Sequence, residues 1–381
     1  MSSTTGHHGN GGKNGNGDER WTLVTGGAGF IGSNLVDRLA RVGRRVRILD
    51  NLSRPGVERN AQWLRRRHGD QVELRVGDVR DEVALEEALR EVGTVYHFAA
   101  QVAVTTSLEQ PRDDFQINLG GTFRLLEAIR RHQPRARLFF TSTNKVYGAL
   151  PDVELRREAT RYCPVSEVIR RHGISEDRPL DFHSPYGCSK GGADQYVLDY
   201  ARTFGLETVV FRMSCIYGPR QFGTEDQGWV AFFLLRALAG ETITLYGDGR
   251  QVRDVLFVED LVEAFLACER RLPELAGQVF NVGGGPGNTV SLLELLDLIA
   301  ELTGRRPEVE HAPWRTGDQR YYVSDTERLR NRTGWYPRVG VRSGVRQLLQ
   351  WLRQLSVPEA ERPAADRRIA ELAGRAMGEA G

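Results

Sequence analysis

Residues 21–50 read WTLVTGGAGFIGSNLVDRLARVGRRVRILD, and this stretch decides the fold. Trp21 to Thr25 is a short apolar run bounded by glycine, which predicts a buried strand. Gly26, Gly29 and Gly32 follow at three-residue spacing, and SNLVDRLARVG then has helical periodicity. Glycines so placed let the backbone turn sharply and come close to a pyrophosphate. The helix that follows offers free N–H groups and the positive end of its dipole to that anion. A second strand, RRVRILD, ends in Asp50. Strand before, helix after and an acidic strand end turn a common glycine loop into a dinucleotide cradle.

Asp50 lies 18 residues beyond Gly32. A carboxylate there accepts hydrogen bonds from ribose hydroxyls and repels a 2′-phosphate, which favours NAD over NADP; Arg54 close by partly offsets that repulsion. The strands VELRVGDV and TVYHFAAQVAV follow, placing Asp78, Val79, Ala99, Ala100 and Gln101 near the dinucleotide. For Asp78 an ordinary loop carboxylate is the alternative. The expected fold is α/β, a doubly wound parallel Rossmann sheet of about seven strands with helices on both faces. A smaller substrate-binding part follows, interleaved with that sheet. The expected division is a disordered tail over 1–20, an NAD-binding domain over 21–218, a substrate-binding domain over 219–357 and a tail over 358–381. QVFNVGGG at 278–285 reads as a strand returning to the main sheet, and VSLLELLDLIAELTG at 290–304 as an amphipathic helix.

Only three of the 52 basic residues are lysines: Lys13, Lys145 and Lys190. The last sits in Ser184-Pro185-Tyr186-Gly187-Cys188-Ser189-Lys190. Ser184 as N-cap and Pro185 at the first helical position predict a helix start. Tyr186 and Lys190 then share one face at i and i+4. An ammonium beside a phenol, aided by the positive charge of a bound cofactor, favours phenolate and makes the tyrosine a usable base. The broad guanidinium fork is a poor replacement for that compact charge. A third hydroxyl comes from the strand end RLFFTSTNKVYG: Thr143 is the first choice for holding the substrate oxygen and Ser142 the reserve, since alternation lets only one face the site.

Together these residues resemble an extended short-chain dehydrogenase/reductase of the NAD-dependent epimerase/dehydratase superfamily, over about residues 21–355. TSTNKVYG at 141–148, DFHSPYGCSKGGADQYVLDYA at 181–201 and VVFRMSCIYGPRQFGTEDQGWV at 209–230 are similar to the CDP-paratose (CDP-tyvelose) 2-epimerases. That resemblance implies tightly held NAD and inversion of C2 in a CDP-linked hexose. It adds Phe30, Ile31, Asn51, Lys190 and Met213 to the cofactor residues. It places Gln101, Thr143, Asn144, Arg220, Gln221, Gln227 and Trp229 at the substrate, with Arg253 and Arg320 on the diphosphate; for both arginines a surface ion pair is the alternative. Met213-Ser214-Cys215 departs from the His-Ser-Ser of the resembling family. Nucleotide-sugar 4,6-dehydratases carry Asp-Glu directly after the active-site threonine, where this chain has Asn144 and Lys145. A 4-epimerase of a UDP- or GDP-hexose and a non-catalytic NAD-binding regulator are the rival readings. The longer connection 151–185 reads either as a substrate-covering loop or as decoration. A homodimer is implied by analogy.

A net charge of +2 without long charged blocks argues against nucleic acid as partner. Cys163, Cys188, Cys215 and Cys268 lack metal-type spacing and read as reduced thiols, so no metal is expected. No run approaches the ~18 apolar residues of a membrane span and no signal peptide is visible, which reads as a cytoplasmic protein without a membrane partner.

Overall fold

The computed structural model describes residues 20–315 and 317–356; the expected tails lie outside these apart from Arg20. Seven strands form the central sheet: β1 (Trp21–Thr25), β2 (Val46–Asp50), β3 (Val72–Val76), β4 (Val92–His97), β5 (Arg137–Thr143), β6 (Thr208–Met213) and β7 (Gln278–Val282). Their order is β7-β6-β5-β4-β1-β2-β3, and every neighbouring pair is parallel. All residues of β1, β2 and β4 are buried, as a sheet covered on both faces requires. On one face, helix α1 (Phe30–Arg41) packs with Val258–Arg270, burying Leu35, Val36, Leu39, Leu261 and Phe265 against Ile48 and Phe139. On the other, helices α2 (Gly121–His132) and α3 (Ser184–Phe204) bury Leu125, Leu126, Ile129, Ala193 and Val197 against Leu23, Val95 and Phe140.

The order reverses beside β1, so the crevice opens at the carboxyl ends of β1, β4 and β5, the position where doubly wound sheets bind ligands. The chain then builds a smaller unit. Val252–Phe257 pairs parallel with Cys215–Tyr217 and Tyr321–Tyr322 and antiparallel with Thr289–Ser291. Ile243–Tyr246 pairs with Val309–Ala312, and helices Trp229–Ala239, Leu292–Thr303 and Val341–Ser356 cover it. The helix expected over 290–304 starts at Leu292. Ser291 ends a strand and caps the helix, its Oγ accepting from Glu294 N while the Glu294 side chain returns to the Ser291 N–H. β7 lies in the large sheet although segments of the small unit both precede and follow it in sequence.

Connection 151–185 folds into a hairpin, Leu155–Arg157 with Tyr162–Pro164, and a helix, Glu167–His172. Ile174 N donates to Val323 O at 2.7 Å, and Glu176 accepts from Asn281 N at 2.7 Å. These bonds tie it to β7 and the small unit as a brace.

A buried ion pair fixes α3 on the sheet. Arg212 of β6 donates from Nε and Nη2 to Asp194 of α3 at 2.9 and 3.0 Å, and both side chains are almost fully enclosed. Arg212 Nη1 also donates to the Tyr147 hydroxyl at 3.2 Å, which donates to Asn281 on β7 at 2.7 Å. Removing one partner leaves the other charge buried and alone. Asp194→Ala should therefore lose about 3–5 kcal/mol of stability in chemical denaturation; a loss below about 1 kcal/mol would show that α3 is held by its apolar face alone.

Candidate active site

A cleft of about 760 Å³ runs between the sheet's carboxyl edge and the small unit. At one end stands the glycine loop. Gly26 has φ +67°, and a Cβ there would meet Ala99 N at 2.7 Å; one on Gly32 would meet Gly26 O at 2.3 Å. The loop is a cradle that a single methyl group would fill, and Gly29, Phe30 and Ile31 line it beside them.

Asp50 closes β2 with Oδ2 accepting from Ala28 N at 3.0 Å and Oδ1 from Leu52 N at 2.9 Å. Burial raises its pKa, opposed by these backbone donors and by Arg54. Asp78 lines the cleft next to it and is held at about 2, chiefly because Arg80 donates to both its oxygens, with Asn51 Nδ2 adding a bond at 2.9 Å. It is an ion-paired carboxylate tied to Asn51. Val79, Ala99, Ala100 and Met213 complete this apolar wall. The Gln101 side chain is satisfied inside its own loop: Nε2 donates to Ala103 O and to buried Asp114, at 2.8 and 2.9 Å, and Oε1 accepts from Ala103 N. It shapes the loop.

The reactive groups meet at the end of β5. The cap position falls to His183, one residue before the expected Ser184; Ser184 opens α3 with φ +64°, and its Oγ accepts from Gly187 N at 3.2 Å. Tyr186 and Lys190 then face β5. Lys190 Nζ donates to Thr141 O at 2.6 Å and lies 4.4 Å from the Phe140 ring centre. Its pKa falls to about 8 through burial, with Asp194 and Asp114 opposing. Tyr186 is pushed up to about 12 by burial, which outweighs a hydrogen bond with the Thr143 hydroxyl. The chain's own groups therefore leave the phenol protonated. The expected lowering joins the neighbouring ammonium to a bound cofactor's charge; among the protein's own groups burial is the larger influence. Of the two adjacent hydroxyls, both on the cleft, Thr143 Oγ1 accepts from Lys145 N at 3.2 Å, whereas the buried Ser142 Oγ has no partner among the described residues.

The far wall belongs to the small unit. Arg253 Nη2 donates to Asp318 at 2.6 Å, and Trp229 Nε1 donates to Cys215 Sγ at 3.5 Å. Asn144 Nδ2 reaches Gln319 at 3.5 Å, and Gln221 Nε2 donates to Ile216 O at 3.2 Å. Gln227 accepts from Arg54, so it bridges the small unit to the loop after β2. Arg253, Trp229, Asn144, Gln221 and Gln227 all line the cleft; no residue of 151–183 is among the described lining residues.

Two expected substrate residues stand elsewhere. Arg220 lies over the Trp63 ring at 3.6 Å, and Arg320 is exposed over Trp314 and Tyr162 at 5.5 and 5.7 Å. Neither lines the cleft. Arg315 does, stacked on Tyr246 at 3.7 Å and paired with Glu225 and Asp226. It stands just before the Gly317-Asp318 turn, a signal that separates it from Arg320 five residues on.

The family model described as "NAD dependent epimerase/dehydratase family" matches residues 22–283. The chain belongs to that family. An epimerase/dehydratase relative, a CDP-paratose 2-epimerase of Salmonella typhi, is 41% identical over 336 residues, covering 86% of this chain and 98% of the relative. A UDP-glucose 4-epimerase of Mycolicibacterium smegmatis is 36% identical, covering 88% of this chain and 99% of the relative. The structure of the Thermus thermophilus UDP-glucose 4-epimerase in complex with NAD superposes with a TM-score of 0.74 at 36% identity, covering 88% of this chain and all of that one. NAD is the family's cofactor, and the cradle fits it: methyl-free glycines at the pyrophosphate position and a strand-end carboxylate for the ribose. Gly32→Ala should weaken NAD binding at least tenfold in equilibrium titration, since its methyl cannot coexist with the Gly26 carbonyl; unchanged affinity would place the dinucleotide elsewhere.

Proposed function

We propose that the protein is an NAD-dependent nucleotide-sugar epimerase that inverts C2 of a CDP-linked hexose through a 2-keto intermediate. One observation carries the reading: Thr143 and Tyr186 line the cleft together, and the two residues after Thr143 are an amide and an ammonium, Asn144 and Lys145. Expelling water from a sugar needs an acid and a base at those positions; oxidation and return need neither. The 41% identity to a CDP-paratose 2-epimerase supports C2 and the cytidine nucleotide.

Tyr186 takes the proton from the C2 hydroxyl, and Thr143 donates to the oxygen as it becomes a carbonyl. Bound NAD supplies the hydride acceptor, the later donor and a positive ring charge near the phenol. That charge matters because the protein alone keeps Tyr186 near 12. Lys190 adds its own charge from the same helix face. Arg253 and Arg315, the cleft arginines of the small unit, hold the diphosphate with forked donors. The sugar turns about that anchor, presents its other face, and Tyr186 returns the proton.

The division at 21–218 and 219–357 follows these two roles except where Val258–Arg270 and β7 return to the large sheet. A homodimer through α2 and α3 is supported by their exposed aromatic side chains Phe123, Tyr196 and Phe204, with Phe123 edge-on to Tyr196 at 5.9 Å. No helix among the described residues is long and apolar enough to cross a membrane. A 4-epimerase of a UDP-hexose is the second reading, favoured by the 36% identity to a UDP-glucose 4-epimerase.

Incubation with a panel of nucleotide hexoses, followed by NMR of the product, should show inversion at C2 of a CDP-sugar; inversion at C4 would select the second reading. In D₂O the product should carry no deuterium at C2, because incorporation there means enolisation. Tyr186→Phe should lower kcat by about 10²–10⁴-fold, with NAD content unchanged.

A further inference from the structure

We infer that Lys145 binds the phosphate next to the sugar, together with Arg253, and so determines which carbon meets Tyr186, an assignment that rests on the nucleotide-sugar reading of the cleft. Lysine is rare in this chain, and the two lysines among the described residues both line the cleft. Lys190 is bound to the β5 carbonyl of Thr141. Lys145 Nζ makes one hydrogen bond among the described residues, to Gly317 O at 3.1 Å. An ammonium carries three donors, so two remain for a ligand.

The surroundings of this group are those of an anion site. Arg253 and Cys215 stand on strands of the small unit and Asp318 on the loop after Gly317, and all three act on Lys145. Burial and then the Arg253 charge bring its pKa down to about 8, with Asp318 and Cys215 opposing. Two cations thus face one space, and the single carboxylate named among these neighbours, Asp318, is already engaged by Arg253 at 2.6 Å. A phosphate between them relieves the like-charge repulsion and supplies acceptors to both.

Position sets the consequence. Lys145 N donates to Thr143 Oγ1 at 3.2 Å, so the ammonium belongs to the catalytic turn itself. Arg315, the other cleft arginine of the small unit, is stacked on Tyr246 at 3.7 Å and paired with Glu225 and Asp226, none of them in that turn. A diphosphate held in this order has its sugar-side phosphate beside Thr143. C2 is bonded to the carbon bearing that phosphate, whereas C4 lies across the ring. A lysine here brings C2 to the phenol.

The test uses the NAD-loaded protein, its Lys145→Met and Lys145→Arg variants, and calorimetric titration with CDP and CMP. Lys145→Met should lose about tenfold or more in affinity for CDP, as expected for one charge-assisted hydrogen bond. CMP affinity, NAD content and melting temperature should stay as in the parent, and Lys145→Arg should recover part of the loss. CDP affinity unchanged in Lys145→Met, or CDP and CMP weakened alike, overturns the contact. UDP and UMP are titrated in parallel. A lysine effect confined to the uridine pair keeps the phosphate contact and removes the cytidine reading, while a parent protein that binds neither diphosphate overturns both.

Discussion

The contact between Arg212 and Asp194 is the constraint on which the site depends. It joins β6 to α3 in an enclosed setting where neither charge has water as an alternative partner. Through Tyr147 and Asn281 the same network reaches the turn after β5 and the returning strand β7. Tyr186 and Lys190 ride on α3, and Thr143 ends β5. The geometry of all three is therefore set by a polar knot that touches no substrate.

A second network stiffens the site from behind. Asp114 is fully buried and accepts from Ser189 on α3, from Gln101 in the loop after β4, and from Asn118. Burial raises its pKa, and the Lys190 charge opposes that shift. The loop after β4 and the helix carrying Tyr186 are thus anchored to one carboxylate. Such a site is organised before any ligand arrives, which is how fixed dipoles and hydrogen bonds contribute to transition-state stabilisation.

The arginines show what reading along the chain misses. Arg315 and Arg320 flank the same turn, and both resemble phosphate ligands by type. Arg315 lines the cleft over Tyr246, while the Arg320 carbonyl is taken up by Val252 N and its guanidinium rests on Trp314 and Tyr162. Arg220 fails similarly: its backbone at φ +72° directs the side chain onto Trp63. The connection 151–185 had two readings from its length, a substrate-covering loop or decoration; bonds to Val323 and Asn281, far off in sequence, make it a brace that neither reading named.

Local patterns determined the dinucleotide cradle, the parallel α/β fold and the Thr143, Tyr186 and Lys190 group. Each rests on short-range physics: glycine spacing, strand burial, a Ser-Pro helix start and the i,i+4 face of one helix. Tertiary structure alone decided which arginines face the cleft, that Gln101 is engaged by Asp114, and that the phenol stays protonated among the protein's own groups. Those outcomes depend on burial and on partners beyond a helix turn or a strand, from 13 residues apart for Gln101 and Asp114 to 65 for Arg253 and Asp318, and neither is encoded in a local window. Desolvation is a property of the assembled site, and at Tyr186 it raises the pKa of a phenol that the local sequence pairs with an ammonium.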